Sequence, residues 1–365
     1  MGLFSALRLA LKRRRQLVEK DDVEIRGGAA GAGGVQKMSE IERLGETHNV
    51  AITVLVDNRA DLIVKSTDTV IRYTKKPLLA EHGFAALIDL QAEELRILWD
   101  AGISKTVLLE NMRRMEIDPT TIDMIALSHG HGDHTGAVLE ILGLVAGRPQ
   151  ARKWDRDATT QEIQDWVEGR RVPLIAHPAV FRERWAIRRD GSKFGPHLPP
   201  SRAELESAGA QVILSEGPYQ LGTGSATTGA VPRQSFEKAG TPTSVAYRDG
   251  DALIRDQIDD DQALVINVKD KGLVILAGCA HSGIVNTVNY AREFTKVDKV
   301  WAIMGGFHLA PAKSEEIELT IDAIEELSPA MVVPTHCTGF EAIGRFAGRM
   351  PEQFVQGVVG TKYLF

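Results

Sequence analysis

Cysteine is scarce: two in 365 residues, which excludes a disulfide framework. An excess of positive charge is also missing. Forty-three Lys and Arg stand against 49 Asp and Glu, a formal net charge of -6. That balance excludes a generally basic nucleic-acid binder and leaves room only for a local basic patch. The longest apolar runs are strand-sized, far short of the ~20 residues a bilayer-spanning helix needs. No repeat recurs at solenoid periods. A secretory signal is lacking too. Leu3, Leu7 and Leu11 precede Lys12, Arg13, Arg14 and Arg15, whereas a signal carries its charges before the apolar stretch. With 43% hydrophobic residues, the chain can bury a sizeable core. The expectation is a soluble, cytoplasmic, globular protein of one large or two average domains.

Residues 1–47 differ from the rest. The leucines at helical spacing followed by four cations read as a short basic amphipathic helix that touches a membrane surface or a partner; the plainer reading is a solvated leader. Gly27, Gly28, Gly31, Gly33 and Gly34, with alanines between, form a flexible linker. From residue 48 to 365 the pattern is that of one domain. β-Branched and apolar runs predict strands over 50–56, 84–90, 96–99, 122–127, 172–176, 210–214, 263–268, 273–276, 297–303 and 331–333. Helical periodicity predicts helices over 104–115, 135–144, 160–168, 284–294, 314–327 and 340–346. Early strands follow one another directly and later ones alternate with helices. That mixture predicts an α/β (α+β layered) fold of two sheets covered by helices. Two inserted segments are expected, a charged one at about 149–171 and an irregular one at about 186–262 that reads as a lid or a decorated surface.

The strongest signal is Ser128-His129-Gly130-His131-Gly132-Asp133-His134-Thr135. Three histidines and an aspartate within six residues, between a predicted strand and a predicted helix, suit a divalent transition metal. So many donors in so short a loop do not easily close on one ion, so further ligands should come from elsewhere. His177, Cys279, His281, His308, His336 and Cys337 each stand just past the C-terminal end of a predicted strand, where convergent sites form. His48, His82 and His197 have no such context.

His129-Gly130-His131-Gly132-Asp133-His134 resembles the H-x-H-x-D-H signature of the metallo-β-lactamase superfamily, and Asp100 is similar to its early strand-end aspartate. Further segments occur together in order: Glu81-His82-Gly83, Asp261-Gln262-Ala263-Leu264, Gly278-Cys279-Ala280-His281-Ser282-Gly283, Gly305-Gly306-Phe307-His308-Leu309 and His336-Cys337-Thr338-Gly339. This set resembles the subfamily that includes the archaeal dihydropterin–ribofuranosylaminobenzene phosphate synthase. The resemblance implies a four-layer αββα sandwich with a dinuclear metal site at one edge. It implies two divalent ions, zinc first, with manganese, iron or magnesium as alternatives. His129, His131 and His177 would hold one ion, and Asp133, His134 and His336 the other. The family's bridging aspartate falls near Cys279; either Cys279 or His281 would stand in for it.

The activity so implied is a pyrophosphate-displacing transfer on a pterin-like substrate. The alternatives are metal-dependent hydrolysis of an ester, lactone or phosphodiester, and a non-catalytic metal-binding sensor. The expected partner is a small molecule, phosphorylated or heterocyclic, and not a nucleic acid. Asp133 is the candidate to orient a nucleophile or accept its proton, and His308 the candidate to touch substrate. Phe307, Trp185 and Tyr219 are candidates to cover a heterocycle.

Overall fold

The computed structural model describes residues 43–147, 159–160, 171–188, 190–237 and 244–365. The basic helix and glycine linker expected before residue 35 lie outside the described residues, as does nearly all of the helix expected over 160–168.

Eight strands build the first sheet: β1 (Val50–Val56), β2 (Val70–Arg72), β3 (Ala85–Leu90), β4 (Leu95–Trp99), β5 (Met124–Ala126), β6 (Val172–Ala176), β9 (Ala210–Leu214) and β18 (Thr361–Leu364). Their spatial order is β2-β18-β1-β3-β4-β5-β6-β9. The second sheet runs β10 (Tyr219–Gly222), β11 (Ser225–Thr227), β14 (Ala263–Val268), β15 (Gly272–Ala277), β16 (Val300–Gly306), β17 (Met331–Thr335), in that order. Alternation along each strand decides the layers, because successive side chains face opposite sides. Ile52, Ile88 and Trp99 of the first sheet meet Leu264, Val274 and Met304 of the second in one central core. The opposite faces take helices. Leu55, Leu87 and Ile125 pack with Leu108 and Met112 of α1 (Val107–Met115) and Ile141 of α3 (Val138–Val145), while α2 (Gly132–Thr135) is a single turn in the metal loop. On the other side, Val265, Ile275 and Ile303 pack with Val288 of α5 (Ile284–Thr295), Ile321 of α6 (Ser314–Glu326) and Phe346 of α7 (Phe340–Arg349), where α4 (Arg202–Ser207) is the helix before β9. The result is the expected αββα sandwich.

Three features differ from expectation for physical reasons. β17 continues through Pro334, which the sequence pattern reads as a stop. The strand is the edge of its sheet, paired along its length with β16 and bridged on the other side only at Val332, so the missing N–H of Pro334 costs no ladder bond. The segment 186–262 is not irregular. It contributes a third, four-stranded antiparallel sheet of β7 (Arg184–Ile187), β8 (Lys193–His197), β12 (Val245–Asp249) and β13 (Ala252–Arg255), in the order β13-β12-β7-β8. Every residue of β8 is exposed, so it carries no alternation for a reader to find. The hairpin signal was there: Gly250-Asp251, with Gly250 at φ +56°, turns β12 into β13. The N-terminal boundary also moves. Leu44 is 1% exposed within the helix-covered core of the second sheet, and Thr47 bridges to Val268, so the body begins before residue 48.

Candidate metal centre

The candidate donors arise where strands of both sheets end. β4 delivers Asp100, β5 delivers the His129–His134 loop, β15 delivers Cys279 and His281, β16 delivers His308 and β17 delivers His336. Three clusters of donor atoms result, each with its atoms within 4.8 Å of one another: Asp133, His134, Cys279 and His336; His129, Cys279 and His281; Cys279, His308 and Cys337. Cys279 is common to all three. His134 Nε2 lies 3.1 Å from Cys279 Sγ, and His336 Nε2 lies 3.4 Å from Asp133 Oδ2. His131 joins through its ring: Nδ1 is 3.0 Å from His129 Nε2, and the ring centroid is 4.9 Å from that of His281. Gly278 lets the Cys279 loop approach the His129 loop, because a Cβ there would collide with Ser128 Oγ.

A shell of hydrogen bonds orients these rings. Asp100 is fully buried. Its Oδ1 accepts from Ser128 N–H at 2.7 Å, and its Oδ2 accepts from Ser128 Oγ and from His134 Nδ1, each at 2.7 Å. With Nδ1 donating to Asp100, Nε2 is the nitrogen of His134 that faces Cys279. Asn58 Oδ1 does the same for His336, accepting from Nδ1 at 3.1 Å. Asp57, buried beneath, accepts from His336 N–H at 3.2 Å and from Thr335 Oγ1.

Electrostatics favour the metal-binding protonation state at His129, His131, His281 and Asp133 and oppose it at His134 and Cys279. Burial, helped by the Arg184 guanidinium, pushes His131 down to about 3. Burial and the neighbouring imidazoles, His134 first for His129 and His308 first for His281, push both well below the usual histidine range. Burial opposes charge on Asp133, yet His134 and His336 outweigh it and hold the carboxylate well below its usual value. His134 moves the other way. Burial opposes its charge, but Asp100 and Asp133 overcome that and raise it to about 9. A transition-metal site takes neutral imidazoles, an ionised carboxylate and a thiolate, so an ion bound here would displace a proton from His134 and from Cys279. His131 Nε2 is buried without a hydrogen-bond partner, which a metal ion would supply. The residues therefore fit a metal.

His177 is not brought into these clusters, although it was expected beside His129 and His131. It caps the turn Pro178–Phe181, its Nδ1 accepting from Ala179 N–H at 3.1 Å. His281 is the residue that lies against His129 and His131 instead. His82, which sequence context passed over, has its Nε2 3.4 Å from Asp133 Oδ2 and its ring 5.1 Å from that of His336. Its only sequence signal was its place in Glu81-His82-Gly83. His308 lies 4.2 Å from His281 with the rings tilted, and lines a small cleft, open to solvent, with Phe236, Glu237 and Leu309. Phe307 lines the same cleft but is 2% exposed and packs on Phe346 at 5.7 Å. Tyr219 packs on the central core, and Trp185 Nε1 donates to Glu183; neither is placed over the donor clusters by a contact.

Residues 80–291 match the family model described as Metallo-beta-lactamase superfamily. Over 317 residues, 85% of this chain and 95% of the relative, the sequence is 30% identical to 7,8-dihydropterin-6-methyl-4-(beta-D-ribofuranosyl)-aminobenzene-5'-phosphate synthase of Methanocaldococcus jannaschii. An uncharacterized protein of the same organism is 29% identical over 311 residues, 85% of this chain and 98% of its own length. Among solved structures, Tm1679, described as a metal-dependent hydrolase of the beta-lactamase superfamily, matches with a TM-score of 0.62 at 23% identity, covering 86% of this chain and 98% of that one. That likeness is one of fold. Among the described residues, no helix is long and apolar enough to cross a membrane.

Proposed function

The chain belongs to the metallo-beta-lactamase superfamily, and from that premise we propose that it is a dinuclear metal-dependent transferase displacing pyrophosphate from a pterin-like carrier. What carries the reading is the likeness to the synthase along 95% of that relative's length, together with donor clusters that fit a metal. Asp133, His134 and His336 would hold one divalent ion, and His129, His131 and His281 the other. Cys279, the member common to their clusters, would stand between them. Zinc suits a set of imidazole, thiolate and carboxylate best. When bound, such ions neutralise charge developing on leaving phosphate oxygens and polarise a substrate oxygen.

The protein's own groups do the rest. In the transfer, the carbon–oxygen bond to pyrophosphate breaks, and an amine or carbon nucleophile of the acceptor forms the new bond to that carbon. The Asp133 carboxylate, 16% exposed at the mouth of the cluster, orients the nucleophile and takes its proton on Oδ2. His308, between the clusters and the cleft, contacts the anionic or heterocyclic part of the substrate. The partner is thus a phosphorylated, heterocyclic small molecule.

The test is a parallel assay of the metal-loaded full chain. One arm offers a dihydropterin-methyl pyrophosphate with an aminobenzene riboside phosphate; others offer a generic phosphodiester and a generic ester. Metal-dependent pyrophosphate release that requires the acceptor is the expected result. Turnover of the ester or phosphodiester, with no acceptor-dependent pyrophosphate release, would overturn transfer in favour of hydrolysis.

A further inference from the structure

We propose that Cys279 and Cys337 form a peroxide-oxidisable pair, a covalent modification site at the edge of the metal centre that a hydroperoxide converts to a disulfide. They are the chain's only two cysteines, and neither is bridged. Their sulfurs lie within 4.8 Å of each other, and Cys337 Sγ is 3.6 Å from the carbonyl oxygen of Cys279. The two residues follow β15 and β17, strands separated by β16, so their meeting needs an opening across the middle strand. Gly306 supplies it. A Cβ at that position would stand 2.6 Å from Cys337 Sγ and 2.5 Å from the Gly278 carbonyl oxygen.

Accessibility sets the order of events. Cys279 is buried and the Cys337 residue only partly so, and in the proposed order Cys337 is the sulfur that meets the oxidant. The Cys337 thiolate attacks hydrogen peroxide, forming a sulfenic acid and releasing hydroxide. The Cys279 thiol then attacks that sulfur, its proton leaving with the displaced hydroxide as water. Two thiols have lost two electrons, and one peroxide has been reduced to water and hydroxide. Closing to the ~2.05 Å of a disulfide draws the sulfurs together. Cys337 sits in the single turn His336–Thr338, outside the β17 ladder, so that turn is the part able to yield. The same turn carries His336. Oxidation would therefore withdraw Cys279 and disturb His336, two of the four members of one donor cluster.

The formation of the bond stands on the thiol geometry alone; its consequence for metal rests on the function proposed above. The experiment treats the metal-loaded full chain with a small excess of hydrogen peroxide, then reads denatured thiol count, intact mass and retained metal after desalting. The expected result is loss of both thiols, a mass lower by two hydrogens in a monomeric chain, and loss of bound metal. Dithiothreitol with added metal should restore all three. Cys337→Ser should keep its remaining thiol from bridging and retain a larger fraction of its own untreated metal content. A stable oxygen adduct on one sulfur, or a disulfide found only between chains, would overturn the proposal. A disulfide that forms within the chain without displacing metal supports the pair and counts instead against Cys279 as a metal donor, so the two readings fail separately.

Discussion

Both carboxylate oxygens of Asp100 hold neighbours in place: one takes the backbone of Ser128, the other the Ser128 hydroxyl and the His134 ring. Asp100→Asn turns one of those acceptors into a donor, so His134 loses the partner that fixes its orientation. Metal affinity should fall roughly 10–100-fold, measured by chelator competition, in a chain that still folds. Asp133→Asn should differ, cutting turnover by about 10²–10⁴ as well as weakening a site, because the lost charge both holds a cation and accepts a proton. His308→Ala should leave metal content intact and raise the Michaelis constant. If it empties a site, His308 belongs among the donors with Cys279. The His129-to-His134 loop was legible because its donors are neighbours in sequence. The partners from distant strands were only narrowed to a set. His177 and His281 look alike as strand-end histidines, and what separates them is Pro178, which starts a turn whose free N–H groups the His177 side chain caps. His82 was missed because its approach to Asp133 depends on the loop before β3 folding over the cluster, which no local pattern encodes.

β7 brings Arg184 beneath the metal loop. Its guanidinium is 3% exposed, with Nε donating to Asp256 Oδ2 at 2.7 Å and Nη2 donating to Asp260 Oδ1 at 2.5 Å. Asp260 in turn accepts from Gly130 N–H at 2.7 Å with its other oxygen. The third sheet is thus tied to the loop that carries His129 and His131. Arg184→Met would leave the fully buried Asp260 without its cation and strip Asp256 of one of its two, Arg182 remaining 3.0 Å away. Breaking such a network costs about 3–5 kcal/mol, which urea denaturation would report, and metal content should fall with it. An unchanged midpoint would show that the tie is dispensable. Most strands of the two main sheets were legible because burial on both faces makes them continuous apolar runs, whereas β2, β10, β11 and β18, three or four residues each, were not. The third sheet was not, because a sheet held by arginine–aspartate pairs and exposed on β8 has no apolar period to detect.

At the scale of the molecule, the sandwich has an N-terminal edge that the glycine-rich stretch does not mark. Leu44 is buried, Gly45 accepts from Asn267 Nδ2 at 2.9 Å, and Thr47 N–H donates to the Asn267 carbonyl at 2.9 Å. A chain beginning at Arg43 should therefore melt higher than one beginning at His48. The difference should be about 2–5 kcal/mol, the usual range for losing one buried leucine. Equal melting curves would contradict that packing. The layered architecture itself was readable from strand and helix order; the junction was not, because a single buried leucine has no periodicity. The donor clusters also have a molecular consequence. Asp133 and His134 come from the first sheet, Cys279 and His336 from the second, so an ion held by all four is a clasp across the central core. Any motion that slides one sheet over the other must open the clasp, and each added increment of free metal should raise the unfolding temperature by mass action. Thermal denaturation would then serve as a titration of the site, reading occupancy without a substrate in hand.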